Sequence, residues 1–176
     1  MTPAAQAKSA TIFTIGHSVH ALPRFLELLA IHGIALVIDT RGRPYSRWNP
    51  QYNRERFADS LKEKGVGYLW LGDSLAGRPE DKSLYGTDGK PDWARIVAAP
   101  GFARGIDRVM SEASRPVAIL CAEEDPMRCH RRFLLTPPLL ARGASVLHIR
   151  GDGRLESEGE LCARDRRPQL ELFAAS

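Results

Sequence analysis

Five short apolar runs recur along this chain, at Thr11–Ile15, Ile34–Ile38, Val66–Leu71, Val117–Cys121 and Ser145–Ile149. Each has the length of a strand, and helical patterns fill most of the chain between them. Runs with so little polar alternation suit strands that crossover helices cover on both faces. Pro23 opens one such helix, reaching to about His32 with Leu22, Phe25, Leu26 and Leu29 on one face. Asn53 is placed to cap a second over Arg54–Lys64, where Phe57 and Leu61 lie four apart. Gly33 and Gly65 stop these two helices. After a Gly-, Pro-, Asp- and Lys-rich excursion from Gly72 to Pro91, helical pieces are predicted over Trp93–Ala98 and Phe102–Ala113. A last helix starts near Arg128 or Cys129, and Pro137 and Pro138 require it to end early or to restart with proline in its first turn.

The alternation predicts an α/β fold, a single domain with a mainly parallel central sheet of about five strands flanked by helices. Its bounds are read as residues 11–150, after a disordered tail over 1–10. Residues 151–176 form a C-terminal extension, packed on the domain or flexible in part, with Leu170, Leu172 and Phe173 at its apolar end. A chain of 176 residues buries a core without staples. No apolar run approaches the roughly 20 residues that cross a bilayer, and no signal-like stretch follows the start, so a cytoplasmic protein is expected. Three cysteines, an odd number, argue against a disulfide framework. The formal net charge is only +4, which does not by itself mark a nucleic-acid binder. Arginine accounts for 20 of the 25 basic residues, and its planar fork suits carboxylate and phosphate.

Parallel sheets bind ligands outside the carboxyl ends of their strands. His17, Asp39 with Arg41, Asp73, Cys121 with Glu123, and His148 all fall at or just past predicted strand ends. Three segments carry the chemistry. In Cys121–Arg132, a Cys129 in the first helical turn, flanked by Arg128, His130 and Arg131, would be favoured as a thiolate. Cys121, ending an apolar strand, reads as core. Glu123 is a general base or a clamp on Arg41 or Arg131. In Asp39–Trp48, three arginines with Ser46 and two aromatic rings can hold an anion and stack a planar ring. Asp39 cannot neutralise all three charges, which makes Arg41 and Arg47 the leading ligand residues. His17, after Gly16, is an acid–base candidate near neutral pH or a partner for the Cys129 thiol.

No CxxC, HExxH, P-loop or GxGxxG pattern occurs. A zinc site would have to gather Cys129, His17, His148 and Glu123, so no metal is expected, and no cofactor is named.

Together these segments resemble the DUF488 family, a group of proteins of unassigned function. The likeness rests on Thr14-Ile15-Gly16-His17-Ser18, on Asp39-Thr40-Arg41 with Pro44-Tyr45-Ser46-Arg47, and on Cys121-Ala122-Glu123 through Cys129-His130-Arg131. It covers roughly Thr11 to Ile149 and implies a compact α/β fold with those residues around one pocket. Two departures stand out: Thr40 replaces an aliphatic residue, and a histidine expected after a glycine turn is missing beyond Gly153, where Glu156 and Glu158 follow. A weaker likeness to rhodanese and the cysteine phosphatases lies in a cysteine after a strand. The acidic run Glu123-Glu124-Asp125 speaks against their anion-cradling loop.

The sequence therefore points to an enzyme acting on an anionic, nucleotide-like small molecule. Cys129, His17 and Glu123 are its catalytic candidates, and Arg41, Arg47, Ser46, Asp39, Arg131 and His130 its ligand contacts. The rival readings are a non-catalytic protein binding nucleic acid or a nucleotide through the Arg41–Trp48 loop, and a scaffold with a satisfied arginine–carboxylate network.

Overall fold

The computed structural model describes residues 10–173, with side chains described for 10–165. The six strands are β1 (Thr11–Gly16), β2 (Leu36–Asp39), β3 (Gly67–Trp70), β4 (Val117–Cys121), β5 (Ser145–Ile149) and β6 (Leu155–Ser157). Between and after them run α1 (Leu22–Ile31), α2 (Arg54–Glu63), α3 (Gly72–Leu75), α4 (Trp93–Ala98), α5 (Pro100–Glu112), α6 (Thr136–Ala141) and α7 (Glu158–Phe173). They build one α/β sheet in the order β3-β2-β4-β1-β5-β6. The first five strands are parallel, and β6 returns antiparallel on β5. The sixth strand is an addition to the expected five. It uses Leu155-Glu156-Ser157, too short and too polar to stand out as an apolar run.

Each buried strand splits its side chains between two cores. Ile12, Ile38, Val117, Ile119 and Val146 face α5 and α6, packing on Ile106, Val109 and Leu139. Ile15, Val37, Ala118, Leu120 and Ile149 face α1 and α2, packing on Phe25, Leu29, Phe57 and Leu61. Period-two alternation thus persists, but both phases are apolar because both faces are covered.

This layering positions the site. The chain leaves β1 and β2 toward α1 and α2 on one face, and leaves β4, between them, toward α6 on the other. Neighbouring connections that depart in opposite directions open a crevice at the carboxyl end of the middle strand. That end is Cys121.

Several local expectations change. Asn53 does not cap α2 with its side chain; its Oδ1 accepts from the Ser46 amide at 2.7 Å and ties down the preceding loop. No helix starts at Arg128 or Cys129. A 3-10 turn spans Pro126–Arg128, Cys129 is extended at φ −126° and ψ 141°, and a π-helical turn spans Arg131–Leu135. Pro137 and Pro138 then sit in the first turn of α6, where a missing amide costs no hydrogen bond. His148 lies inside β5 rather than past its end, wholly buried, bonded to Thr14 at 2.7 Å.

The tail placed at 1–10 lies outside the described residues except for Ala10, whose carbonyl accepts from Ser145 at 2.8 Å. The side chains of Leu170, Leu172 and Phe173 lie outside the described residues as well. No helix of the described residues is long and apolar enough to cross a membrane.

Candidate functional site

Parallel pairing places Cys121 beside Gly16 of β1 and just past Asp39 of β2. The chain then turns through Ala122–Asp125, where Asp125 Oδ1 caps the 3-10 turn at the Met127 amide, and comes back to present Cys129 and His130. Two cysteines eight residues apart thereby meet, with sulfurs 2.8 Å from each other. His130 Nδ1 lies 3.4 Å from the Cys121 sulfur and 3.9 Å from that of Cys129.

The orientation of His130 follows from its other nitrogen. Thr40 donates its hydroxyl hydrogen to the Leu120 carbonyl at 2.9 Å, which leaves its oxygen to accept from His130 Nε2, 3.4 Å away. With Nε2 turned to Thr40, Nδ1 faces the two thiols. Gly77 gives the ring its seat, since a Cβ at that position would stand 2.5 Å from the Cβ of His130.

Arg131 supplies the charge behind this group. It is fully buried, and its terminal nitrogens donate to the carbonyls of Glu123 and Glu124. Its Nε has no partner, and among the described residues no carboxylate pairs with it. Hydrogen bonding from Cys129, then the His130 contact and the nearby Arg131 charge, hold the Cys121 thiol well below its ordinary range. The Cys129 thiol is pushed far up, first by its bond to Cys121 and then by burial. The shared hydrogen bond, in which Cys129 donates to Cys121, moves the two thiols in opposite directions. The low thiol is thus Cys121, contrary to the expectation of a Cys129 thiolate. That expectation required a helix N-terminus, and Cys129 sits instead in extended backbone.

A second network flanks the first. Asp39 is fully buried and receives Arg41 in a fork, Nε to Oδ1 at 2.9 Å and Nη2 to Oδ2 at 2.6 Å, with the Tyr68 hydroxyl on Oδ2 at 2.6 Å. Arg41 Nη1 donates to His17 Nε2 at 3.2 Å, while His17 Nδ1 donates to the Ser18 carbonyl at 2.8 Å. Both ring nitrogens of neutral His17 are therefore engaged, and its ring stacks on Tyr52 at 4.4 Å. Burial, and then the Arg41 charge, lower its pKa to about 4.

His148 is lowered to about 4 as well, by burial and then by Arg131. The two buried rings set the acid limit of the fold. Their folded pKa values lie below the unfolded value of 6.5. Below 6.5 the unfolded chain takes up protons that the folded chain refuses. Stability is complete above that pH and falls as pH drops toward 4, by on the order of 3 kcal/mol per ring. Glu124, held at about 2 by Arg150, adds its loss as pH falls from its ordinary 4.5 toward 2. Urea melts from pH 7.5 to 4 are expected to show this slope, halved in either His17→Gln or His148→Gln.

A cleft of about 790 Å³ opens over these groups. His17, Thr40, Arg41, Ser46, Cys121, Glu123, Cys129 and His130 all line it. Its cations are Arg41, Arg43, Arg78, Lys90 and Arg128, and its one lining carboxylate is that of Glu123. Tyr45 and Trp93 provide aromatic wall, with Trp93 stacked on Phe133 at 6.2 Å.

Not every predicted residue reaches the cleft. Asp39 and Arg131 are buried behind it. Arg47 stacks on exposed Trp48 at 4.6 Å, away from the lining. Ser46 lines the cleft, but its hydroxyl accepts from the Trp48 and Asn49 amides and shapes the loop. Glu123 is exposed, and the clamp on Arg131 is its backbone carbonyl rather than its carboxylate. Glu156 and Glu158 pair with Arg150 and Arg132, outside the cleft. Arg78 and Lys90 had no signal beyond their place in a long loop.

The family described as "Domain of unknown function DUF488" matches residues 21–136. The chain belongs to the DUF488 family. The matched span of this DUF488 protein includes Asp39, Arg41, Cys121, Cys129, His130 and Arg131, whereas His17, β5 and β6 fall outside it. No curated protein and no solved structure matches the chain.

Proposed function

We propose that this DUF488 protein is an enzyme whose cleft takes an anionic small molecule and whose Cys121 thiolate attacks it. The observation that carries this reading is a low thiol on the floor of a cleft with five cations and one carboxylate in its lining. Cys121, His130 and Thr40 form a nucleophile, a base and an orienting group in sequence. His130 Nδ1 holds the proton that Cys121 gives up and passes it to the leaving group as the electrophilic carbon or phosphorus is transferred to sulfur. Arg131 stabilises the anionic floor, and Arg43, Arg78, Lys90 and Arg128 draw in the charged substrate. His17 acts as a positioning residue, holding Arg41 on Asp39, since neither of its nitrogens is free to move a proton. Tyr45 and Trp93 favour a substrate with a planar ring, a nucleotide-like compound.

Protection of Cys121 tests the reading without knowing the substrate. Inorganic phosphate or AMP at saturation is expected to slow iodoacetamide labelling of Cys121 at least about tenfold, an effect of about 1.4 kcal/mol or more. Arg78→Ala with Arg128→Ala should abolish the protection while leaving unprotected labelling unchanged. Labelling indifferent to both anions would overturn the reading. So would a single-stranded oligonucleotide that binds through Trp48 without shielding Cys121.

A further inference from the structure

We infer that Cys121 and Cys129 form a redox dithiol, which a hydroperoxide converts to an intramolecular disulfide. The inference goes beyond the anionic-substrate reading, because the reaction needs no occupant among the cleft arginines.

Geometry carries it. The two sulfurs stand 2.8 Å apart and need approach by only roughly 0.8 Å to reach disulfide length. Both cysteines are buried at the floor of the open cleft, where Cys121, 5% exposed, is the one a small oxidant meets first. Cys129 is in extended backbone between two short helical turns, with no regular helix to constrain it. The third thiol, Cys162, is engaged elsewhere, with Glu158 at 3.5 Å and Arg132 at 3.6 Å.

The same cluster of two thiols and His130 has the donor set of a thiophilic cation. Two features disfavour that occupant. A tetrahedral zinc would spread two thiolate sulfurs to about 3.8 Å, wider than the pair observed. The surroundings are also cationic, with Arg131 buried beside the sulfurs and further arginines on the cleft rim, a field that favours thiolate over a dication.

The chemistry balances in two steps. The Cys121 thiolate attacks the distal oxygen of the hydroperoxide and the O–O bond breaks. The departing alkoxide takes the Cys121 proton held by His130 and leaves as the alcohol, and Cys121 becomes a sulfenic acid. The Cys129 sulfur then attacks the Cys121 sulfur, its proton passing to the departing oxygen by way of His130. The S–O bond breaks, the S–S bond forms, and water leaves. Overall, two thiols and one hydroperoxide give one disulfide, one alcohol and one water, and the two electrons come from sulfur. A low-molecular-weight thiol reverses the change by two exchange steps. While oxidised, Cys121 is no longer a nucleophile, so the oxidation also switches off the chemistry proposed for the cleft.

The full-length reduced protein, treated with one equivalent of hydrogen peroxide, is expected to fall from three titratable thiols to one. Peptide mapping should then find Cys121 linked to Cys129 and Cys162 free, with full recovery in dithiothreitol. In Cys129→Ser the reaction should stop at a Cys121 sulfenic acid that dimedone traps. Three outcomes would overturn the inference: no thiol loss, over-oxidation of Cys121 without a link to Cys129, or a stoichiometric metal whose release is needed before the thiols titrate. The first two leave phosphate shielding of Cys121 untouched and so fail apart from the proposed function, whereas a bound metal would count against both.

Discussion

In the wild-type protein, iodoacetamide is expected to label Cys121 first, at a rate that stays flat from pH 7 to pH 9. An ordinary free cysteine gains nearly tenfold per pH unit below its pKa of about 8.5. A flat profile means the thiolate is fully formed at neutral pH, as the Cys129 bond, the His130 contact and the Arg131 charge require. Replacement of those groups should restore the slope in the order of their effects. Cys129→Ala removes the largest of them, the thiol donating to Cys121 at 2.8 Å, and should move the profile upward. Cys129→Ser keeps a donor and should move it less. Arg131→Met removes the buried charge and should shift the profile upward while also lowering stability. Labelling that persists at neutral pH in Cys121→Ser, with Cys129 as the fast site, would reverse the assignment of the thiolate.

Gly16→Ala should cost about 3 kcal/mol of stability, near the top of the range for a single added methyl. A Cβ at that position would stand 1.7 Å from the Glu123 carbonyl oxygen and 2.8 Å from Arg131 Nη1. Neither neighbour can yield cheaply. The Glu123 carbonyl is fixed by its bond from Arg131, and the adjoining chain is held by backbone bonds from His17 to Cys121 and from Ser18 to Ala122, at 3.0 and 2.8 Å. The displacement would therefore pass to the loop that carries both cysteines. Loss in a urea melt should be accompanied by slower neutral-pH labelling of Cys121 in whatever fraction stays folded. A Gly16→Ala protein with unchanged stability would mean that β1 and the cysteine loop are further apart than described.

Much of the architecture was legible because it depends on near neighbours in sequence. The five parallel strands and the helices after β1 and β2 follow from runs and periods a few residues long. Strand-end placement likewise brought His17, Arg41, Cys121 and Glu123 to one sheet edge before any pairing was known. What escaped was whatever depends on a partner far along the chain. Glu124, placed by sequence only in an acidic run, holds Arg150 at 2.9 Å and the Gly151 amide at 3.0 Å. Cys121 is buried, as its place at the end of an apolar strand implied, and it lines the cleft as well.

By itself, then, the sequence determined the five parallel strands and the polar groups His17, Arg41 and Glu123 that follow their carboxyl ends, since backbone preference and apolar periodicity act over a few residues. Tertiary structure alone decided which of the two thiols is lowered and which is raised. A proton's position between two thiols is set by burial and by charges across space, and here those come from Arg131 and from a carbonyl frame that exists only after β1, β4 and the π-helical turn have packed together.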